Sequence, residues 1–138
     1  MEKLRLFGTS GIRGKAKIDI TPNLALKLGR TFASYLGNEG HVIVGRDVRL
    51  FAKDLSDALI SGLLSGGLNV EDCGVAPTPA ILWALKKREL NGAAVVTGSH
   101  TPKDIIGFLF FMKDTSELSF TESIRFENLY NTEIYFSK

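Results

Sequence analysis

Three short apolar runs, separated by stretches of helical periodicity, constrain the fold of this chain more than any other feature. The runs cover residues 41–44, 69–75 and 93–96, and each is followed by a polar or glycine- and proline-rich loop. Strands that alternate with helices of this length form right-handed crossovers in a mostly parallel sheet that is covered on both faces. The pattern therefore predicts an α/β fold, a three-layer α/β/α domain with a mostly parallel sheet.

The stretches between these runs carry helix signals. Thr21 is placed to cap the first helix and Pro22 stands at its first turn, and this helix is expected to close at residues 38–40. A second helix is predicted near residues 51–65. Leucine and phenylalanine recur every three or four residues, which places them on one buried face of each helix. The positions concerned are Leu24, Leu28, Phe32 and Leu36, then Leu55, Leu59 and Leu63, and in a third helix Leu82 and Leu85.

The first residues and the last third of the chain follow a different pattern. Apolar residues between 4 and 7 predict a short strand, which breaks at the glycine-rich residues 8–14. Residues 108–112 predict one more strand, either parallel or antiparallel to its neighbour.

A short helix is expected near the end of the chain. Ser119 and Glu122 have the spacing of a capping box for a helix through Leu129. Residues 130–138 have the pattern of an aromatic, strand-like tail. We therefore divide the chain into a main domain over residues 1–120 and a short helix with an aromatic tail over residues 121–138.

Composition excludes several classes of partner. The 138 residues include 17 basic and 15 acidic side chains, a balance that predicts no nucleic-acid and no membrane partner. Cys73 is the single cysteine, so it cannot form an intrachain disulfide, and its apolar neighbours predict a place in the core. No apolar run is long enough to cross a bilayer. A cytoplasmic location is the expectation.

The most informative motif follows the apolar run at residues 93–96, where the sequence continues as Thr97-Gly98-Ser99-His100. The serine can act as a nucleophile or carry a phosphoryl group, with His100 within reach to move a proton. The alternative is a polar turn that caps the next segment. Ligands of open α/β sheets bind where strands end, which favours the functional interpretation.

Two further loops have the chemistry of anion binding. Gly8 to Lys15 contains three glycines that let backbone N–H groups approach an oxyanion, with Arg13 adding charge. Its spacing is not that of a P-loop, and a flexible glycine turn is the alternative. Arg46-Asp47-Val48-Arg49 offers two guanidinium groups that suit phosphate, although such runs are commonly solvated ion pairs. If the sheet is parallel, Arg46, Arg49, Thr78 and Ser99 gather at its carboxyl edge.

Together these loops resemble one family. Phe7-Gly8-Thr9-Ser10-Gly11-Ile12-Arg13-Gly14, Gly45-Arg46-Asp47-Val48-Arg49, Thr78-Pro79 and Thr97-Gly98-Ser99-His100-x-Pro102 resemble, in order and spacing, motifs of the first domain of the α-D-phosphohexomutases. That family includes phosphoglucomutase, phosphomannomutase and phosphoglucosamine mutase. The resemblance covers roughly residues 3 to 120.

The resemblance implies a mechanism and a set of site residues. Ser99 matches the family's phosphoserine, which donates its phosphoryl group to a sugar phosphate, while Arg13 and His100 match residues close to that phosphate. Magnesium would bind through the phosphate on Ser99, so Mg²⁺ is the implied cofactor and a hexose phosphate the implied substrate. The loops described above supply the expected phosphate-binding residues, which are Thr9, Ser10, Gly11, Arg46 and Arg49.

The same resemblance predicts that this chain is not competent alone. The family's metal-binding carboxylates, sugar-reading loop and second phosphate clamp lie on three further domains that this sequence does not contain. Alignment on Gly107 also puts Ile106 and Leu109 where the family has an asparagine and a lysine. The alternative function is a non-catalytic oligomeric or phosphate-binding protein derived from the domain. A homo-oligomer, or a partner chain bound through the aromatic tail, is the expected assembly.

Overall fold

The fold is known from a computed structural model, which describes residues 11–98 and 104–136. Five strands and four helices alternate along most of this length. In chain order they are β1 (Ile12–Lys15), α1 (Pro22–Tyr35), β2 (His41–Arg46), α2 (Ala52–Ser65), β3 (Asn69–Val75), α3 (Thr78–Lys87), β4 (Gly92–Thr97), β5 (Ile105–Met112) and α4 (Phe120–Phe136).

The five strands form one mixed sheet with the order β1-β5-β4-β2-β3. The predicted parallel arrangement is present in β4, β2 and β3, which are joined by helices α2 and α3. The remaining pairs, β4 with β5 and β5 with β1, are antiparallel. The predicted α/β fold with a mostly parallel sheet is confirmed, because β1, β2, β3 and β4 run in one direction and β5 runs against them. The reversal at β5 follows from the short connection between β4 and β5.

Helices cover both faces of the sheet, as the three-layer prediction requires. The larger core lies between one face and helices α1, α2 and α4, and includes Phe32, Phe110 and Phe126, none of them more than 1% exposed. The smaller core lies between the other face and α3, around Ile81 and Leu85. Among the described residues, no helix is long and apolar enough to span a membrane.

The predicted helix signals form the expected hydrogen bonds. The Thr21 hydroxyl accepts from the Leu24 backbone N–H at 3.2 Å, with Pro22 in the first turn of α1. Before α4, the Ser119 hydroxyl accepts from the Glu122 N–H at 3.1 Å, and the Glu122 carboxylate accepts from the Ser119 N–H at 2.8 Å. Both helix starts are therefore determined by local sequence.

The structure corrects the expected strand-like tail. Helix α4 continues to Phe136 and includes the segment from residue 130 that the sequence pattern assigned to a strand. Phe126, Leu129 and Tyr130 have the spacing of one helical face and pack against the larger core. Burial of this face explains the longer helix. Because residues 130–136 are helical, they do not offer a strand edge for pairing. A homo-oligomer, or a partner chain bound through the C-terminal tail, stays a prediction.

The glycine-rich segment is also corrected. Residues 12–15 belong to strand β1 instead of continuing the predicted loop, and Arg13 pairs with Gly107 of β5. A side chain at Gly107 would collide with the carbonyl of Ile12, so glycine is needed where these backbones meet. The predicted strand at residues 4–7 lies outside the described residues.

Helices α1 and α2 approach closely at a pair of glycines. A Cβ atom added at Gly62 would collide with the Leu26 carbonyl oxygen and stand 3.0 Å from the Cα of Gly29. Because the obstacle is backbone, it cannot turn aside as a side chain can. The close crossing of the two helices therefore depends on the missing side chains.

We predict that Gly62→Ala destabilises the chain. Alanine is a better helix former by about 1 kcal/mol, but overpacking against backbone costs about 1–3 kcal/mol or more. The net result is a free energy of unfolding lower by roughly 1–2 kcal/mol, measured by urea denaturation. Ser61→Ala, at an exposed position of the same helix, is the matched control and leaves the midpoint unchanged. An equally stable Gly62→Ala variant would contradict this account of the crossing.

Cys73 contacts the smaller core, close to its predicted environment. It is half-buried, and its thiol donates to the Val44 carbonyl at 3.2 Å. Burial raises the pKa of this thiol, and the neighbouring Asp72 charge raises it further. Because the thiolate is the reactive form, we expect iodoacetamide to alkylate Cys73 more slowly at pH 8 than a cysteine in a short peptide. The rate should rise with pH beyond the point where the peptide rate levels off.

Candidate functional site

The sheet brings the ends of three strands and the start of a fourth together at one edge. Strands β1, β2 and β4 all run toward this edge, and β5 starts from it, as the pairs Lys15–Ile105 and Arg46–Val96 show. The residues that follow β2 therefore lie beside the residues that follow β4. This is the carboxyl edge at which the sequence placed the functional loops.

Asp47, the first residue after β2, holds the end of β4. Its Oδ2 accepts hydrogen bonds from the Thr97 hydroxyl at 2.8 Å and from the Gly98 N–H at 2.9 Å. Its Oδ1 accepts from the Arg49 N–H at 2.9 Å, and its own N–H donates to the Val96 carbonyl at 3.0 Å. Both carboxylate oxygens are thus occupied, and hydrogen bonds to a carboxylate are stronger than neutral ones.

Two guanidinium groups complete the contacts around Gly98. Arg13 donates from Nη1 to the Gly98 carbonyl at 3.1 Å. Arg49 places its Nε 3.6 Å from Oδ2 of Asp47 and donates from Nη1 to the Ile105 carbonyl at 2.9 Å. Gly98 is thus bonded through both its N–H and its carbonyl, and the next residue in the sequence is Ser99. We call Arg13, Asp47 and Arg49 the Gly98 clamp.

A cavity of about 580 Å³ lies beside the clamp. Its lining is mostly apolar and includes Val48 and Leu50, which are more than 80% exposed, and Phe51, which Lys17 overlies at 5.4 Å. Asp104 and Arg49 provide charge on the same wall. The cavity therefore combines an exposed aliphatic rim with charged groups from the loops after β1 and β2 and from Asp104, just before β5.

The predicted site residues fall into three groups. Ser99, His100, Thr9 and Ser10 lie outside the described residues. Arg13 and Arg49 are brought together in the clamp although 36 positions of sequence separate them. Arg46 is the last residue of β2. Gly11 precedes β1 with φ +72°, against the Phe108 carbonyl, where a side chain would collide.

The two positions compared with the family's asparagine and lysine are both buried. Ile106 is 1% exposed in the larger core, and Leu109 is 8% exposed in the smaller core, paired with Val95. Apolar side chains at these positions therefore fill the two cores of the sheet.

Sequence reasoning missed Asp47 as a functional residue. It treated the acid as a partner of its neighbouring arginines, which is true of Arg49. Its larger role is to bind Thr97 and Gly98, 50 and 51 positions away. Its position in the sequence could have indicated this role, because a carboxylate directly after a parallel strand faces the loop that follows the neighbouring strand.

The donor set at the clamp does not fit a complete magnesium site. Mg²⁺ is usually held by one or two carboxylates together with phosphate oxygens and water. Asp47 has both oxygens occupied by hydrogen bonds, which leaves Asp104 as the exposed acid of the cavity wall. Within residues 11–98 and 104–136 no group of three metal-binding side chains occurs.

Comparison with known proteins agrees with this geometry. Residues 4–134 match the model of the phosphoglucomutase/phosphomannomutase α/β/α domain I. The chain belongs to this family and corresponds to its first domain. A phosphoglucomutase/phosphomannomutase of Thermococcus kodakarensis is 51% identical over 107 residues, which cover 75% of this chain and 24% of the relative. A phosphoglucosamine mutase of Natranaerobius thermophilus is 40% identical over 131 residues, which cover 94% of this chain and 30% of the relative.

Solved structures show the same fold. The crystal structure of a phosphomannomutase candidate from Thermus thermophilus superposes with a TM-score of 0.86 at 29% identity, over 94% of this chain and 30% of that one. A family member from Burkholderia thailandensis gives a TM-score of 0.80 at 28% identity, over 98% of this chain and 31% of that one. The chain thus spans about a quarter to a third of the length of its relatives.

We predict that Asp47→Asn weakens the fold at this edge. The amide keeps the size of the carboxylate but turns an NH₂ group toward one set of donors, which leaves partly buried N–H and hydroxyl groups without an acceptor. Such losses cost about 1–3 kcal/mol of unfolding free energy. Chemical denaturation measures the difference.

Asp57→Asn is the matched control for this substitution. Asp57 pairs with Lys53 at 2.9 Å on the exposed face of α2, with both side chains more than half exposed. Exposed pairs of this kind contribute about 0.3–0.5 kcal/mol. Equal stability losses in the two variants would show that Asp47 is no more than a surface charge.

Proposed function

We propose that this chain is the phosphoserine-bearing domain of a phosphohexomutase, with Ser99 as the phosphoryl carrier and a hexose phosphate as substrate. The observation that carries the proposal is the Gly98 clamp. Arg13 of β1 binds the Gly98 carbonyl, and Asp47 after β2 binds the Gly98 N–H and lies beside Arg49, so charged side chains from two segments hold the residue before Ser99. A serine that only turned the chain would not need its neighbour bound at both N–H and carbonyl.

The charges of the clamp suit a phosphorylated serine. A phosphoserine carries about −1.5 to −2 charges at neutral pH. The clamp contains two arginines and one aspartate, so it has a net positive charge close to Ser99. The Arg13 guanidinium, bonded to the carbonyl that leads into Ser99, would favour the charged form of a phosphate there and stabilise charge during transfer.

The proposed transfer forms one bond and breaks another. The Ser99 Oγ attacks a phosphorus atom of a hexose bisphosphate, the bond between that phosphorus and the sugar oxygen breaks, and a hexose monophosphate leaves. The hydroxyl proton is taken up as the new bond forms and the departing sugar oxygen receives a proton. His100, next in sequence, is the proposed group for this proton movement.

Magnesium enters this proposal through the phosphate. A phosphate on Ser99 would supply one ligand for Mg²⁺, which neutralises charge on a transferring phosphoryl group. The remaining ligands would come from groups other than the Asp47 carboxylate, because its two oxygens are engaged. The named relatives are three to four times as long as the matched region, and in them further chain can supply such ligands.

We predict that Ser99 accepts a phosphoryl group from glucose 1,6-bisphosphate in the presence of Mg²⁺. Intact-protein mass spectrometry would show one added phosphoryl group per chain, and fragmentation would place it on Ser99. We expect the reaction because Ser99 directly follows Gly98, whose carbonyl and N–H are bound by Arg13 and Asp47. The Ser99→Ala variant would gain no mass.

The matched control is Ser61→Ala, which removes a hydroxyl from an exposed position of α2 and leaves the uptake unchanged. A wild-type chain that gains no phosphate under these conditions would count against residual transfer. It would favour the alternative of a non-catalytic phosphate-binding domain. Equal gain in Ser99→Ala would place the phosphate elsewhere.

A further inference from the structure

Arg49 is largely buried and its guanidinium contacts groups of the protein itself, unlike an arginine that presents its guanidinium to a ligand. Its side chain is 18% exposed, and its guanidinium lies between the end of β4 and the start of β5. It contacts the Asp47 carboxylate through Nε and the Ile105 carbonyl through Nη1. These partners belong to the chain itself and lie on both sides of the 99–103 segment.

Gly98 provides independent support for this position. A Cβ atom added at Gly98 would take the space of the Arg49 guanidinium, so the planar group lies flat against the Gly98 backbone. Arginine suits this arrangement because its fork is planar and its donors point in fixed directions. Lysine has a single ammonium group and cannot reach Asp47 and Ile105 while covering Gly98.

We propose that Arg49 is a positioning residue that fixes the distance between Gly98 and Ile105, and not a phosphate ligand. It joins the two ends of the segment that contains Ser99 by binding one end through Asp47 and the other through the Ile105 carbonyl. The inference deepens the proposed function and rests on it for its effect on Ser99. It assigns the direct phosphate contact among the clamp arginines to Arg13.

The neighbouring arginines differ in this respect. Arg13 reaches Gly98 from β1, on the outer edge of the sheet, and bonds to the carbonyl that leads into Ser99. Arg49 is tied to a carboxylate, which neutralises much of its charge. Attraction to a phosphate is therefore weaker at Arg49 than its formal charge suggests.

The first test is the concentration dependence of Ser99 phosphorylation in Arg49→Lys. A positioning role predicts that the maximal rate falls roughly tenfold to a hundredfold, because small displacements of reacting groups have effects of that size. The half-saturating concentration of glucose 1,6-bisphosphate stays unchanged. A raised half-saturating concentration with an unchanged maximal rate would overturn the proposal, since that is the signature of a lost ligand contact.

The matched control is Arg88→Lys. Arg88 pairs with Glu71 on the surface beyond α3, distant from the clamp in the fold, so the same substitution there leaves both kinetic quantities unchanged. Circular dichroism confirms that each variant is folded. If Arg49→Lys does not fold, Gly98→Ala replaces it, because the added methyl group displaces the guanidinium while Arg49 is kept. The same fall in maximal rate is then expected.

A second test does not depend on phosphoryl transfer. The Gly98 amide proton is bonded to Asp47, and its exchange with deuterium can be followed by NMR. Loss of the Arg49 contacts should raise its exchange rate by roughly tenfold as this edge opens more often, with no such change in Arg88→Lys. Unchanged exchange in Arg49→Lys would refute the positioning role. This result holds whether or not Ser99 accepts phosphate, so failure of the inference and failure of the proposed function are distinguishable.

Discussion

The parallel pairing of β2 with β4 is the constraint on which the site depends. It places Arg46 opposite Val96, so the first residue after β2 lies beside the last residues of β4. Asp47 can then accept from Thr97 and Gly98 without any long loop. A shift of one residue in this register would turn Val44 and Val96 away from the larger core, so burial of these side chains also fixes the position of the carboxylate.

Strands β5 and β1 extend this arrangement. Because β5 runs back along β4, its first residue returns to the edge where Gly98 lies, and Arg49 reaches its carbonyl. Because β1 runs back along β5, Arg13 arrives at the same edge and binds the Gly98 carbonyl. A purely parallel sheet would place the start of β5 at the opposite edge and would separate these groups. The mixed sheet is therefore a condition of the clamp.

Much of the fold follows from local sequence. The caps at Thr21 and Ser119, the strand at Asn69–Val75 and the ends of α2 were predictable, because hydrogen bonds within a few residues and buried periodic faces determine them. The length of α4 could not be predicted, because the sequence pattern of residues 130–136 fits either a strand or a helix. Packing of Phe126, Leu129 and Tyr130 on the core decides for the helix.

The sequence by itself determined the α/β alternation, the helix starts and the loops that carry the family's motifs. Only the tertiary structure decided the order β1-β5-β4-β2-β3, the direction of β5 and the roles of Asp47 and Arg49. The physical reason is distance along the chain. Asp47 and Gly98 are 51 positions apart, and Arg49 and Ile105 are 56 apart. No local periodicity encodes which of two distant polar groups will meet, since strand pairing and core burial together select them.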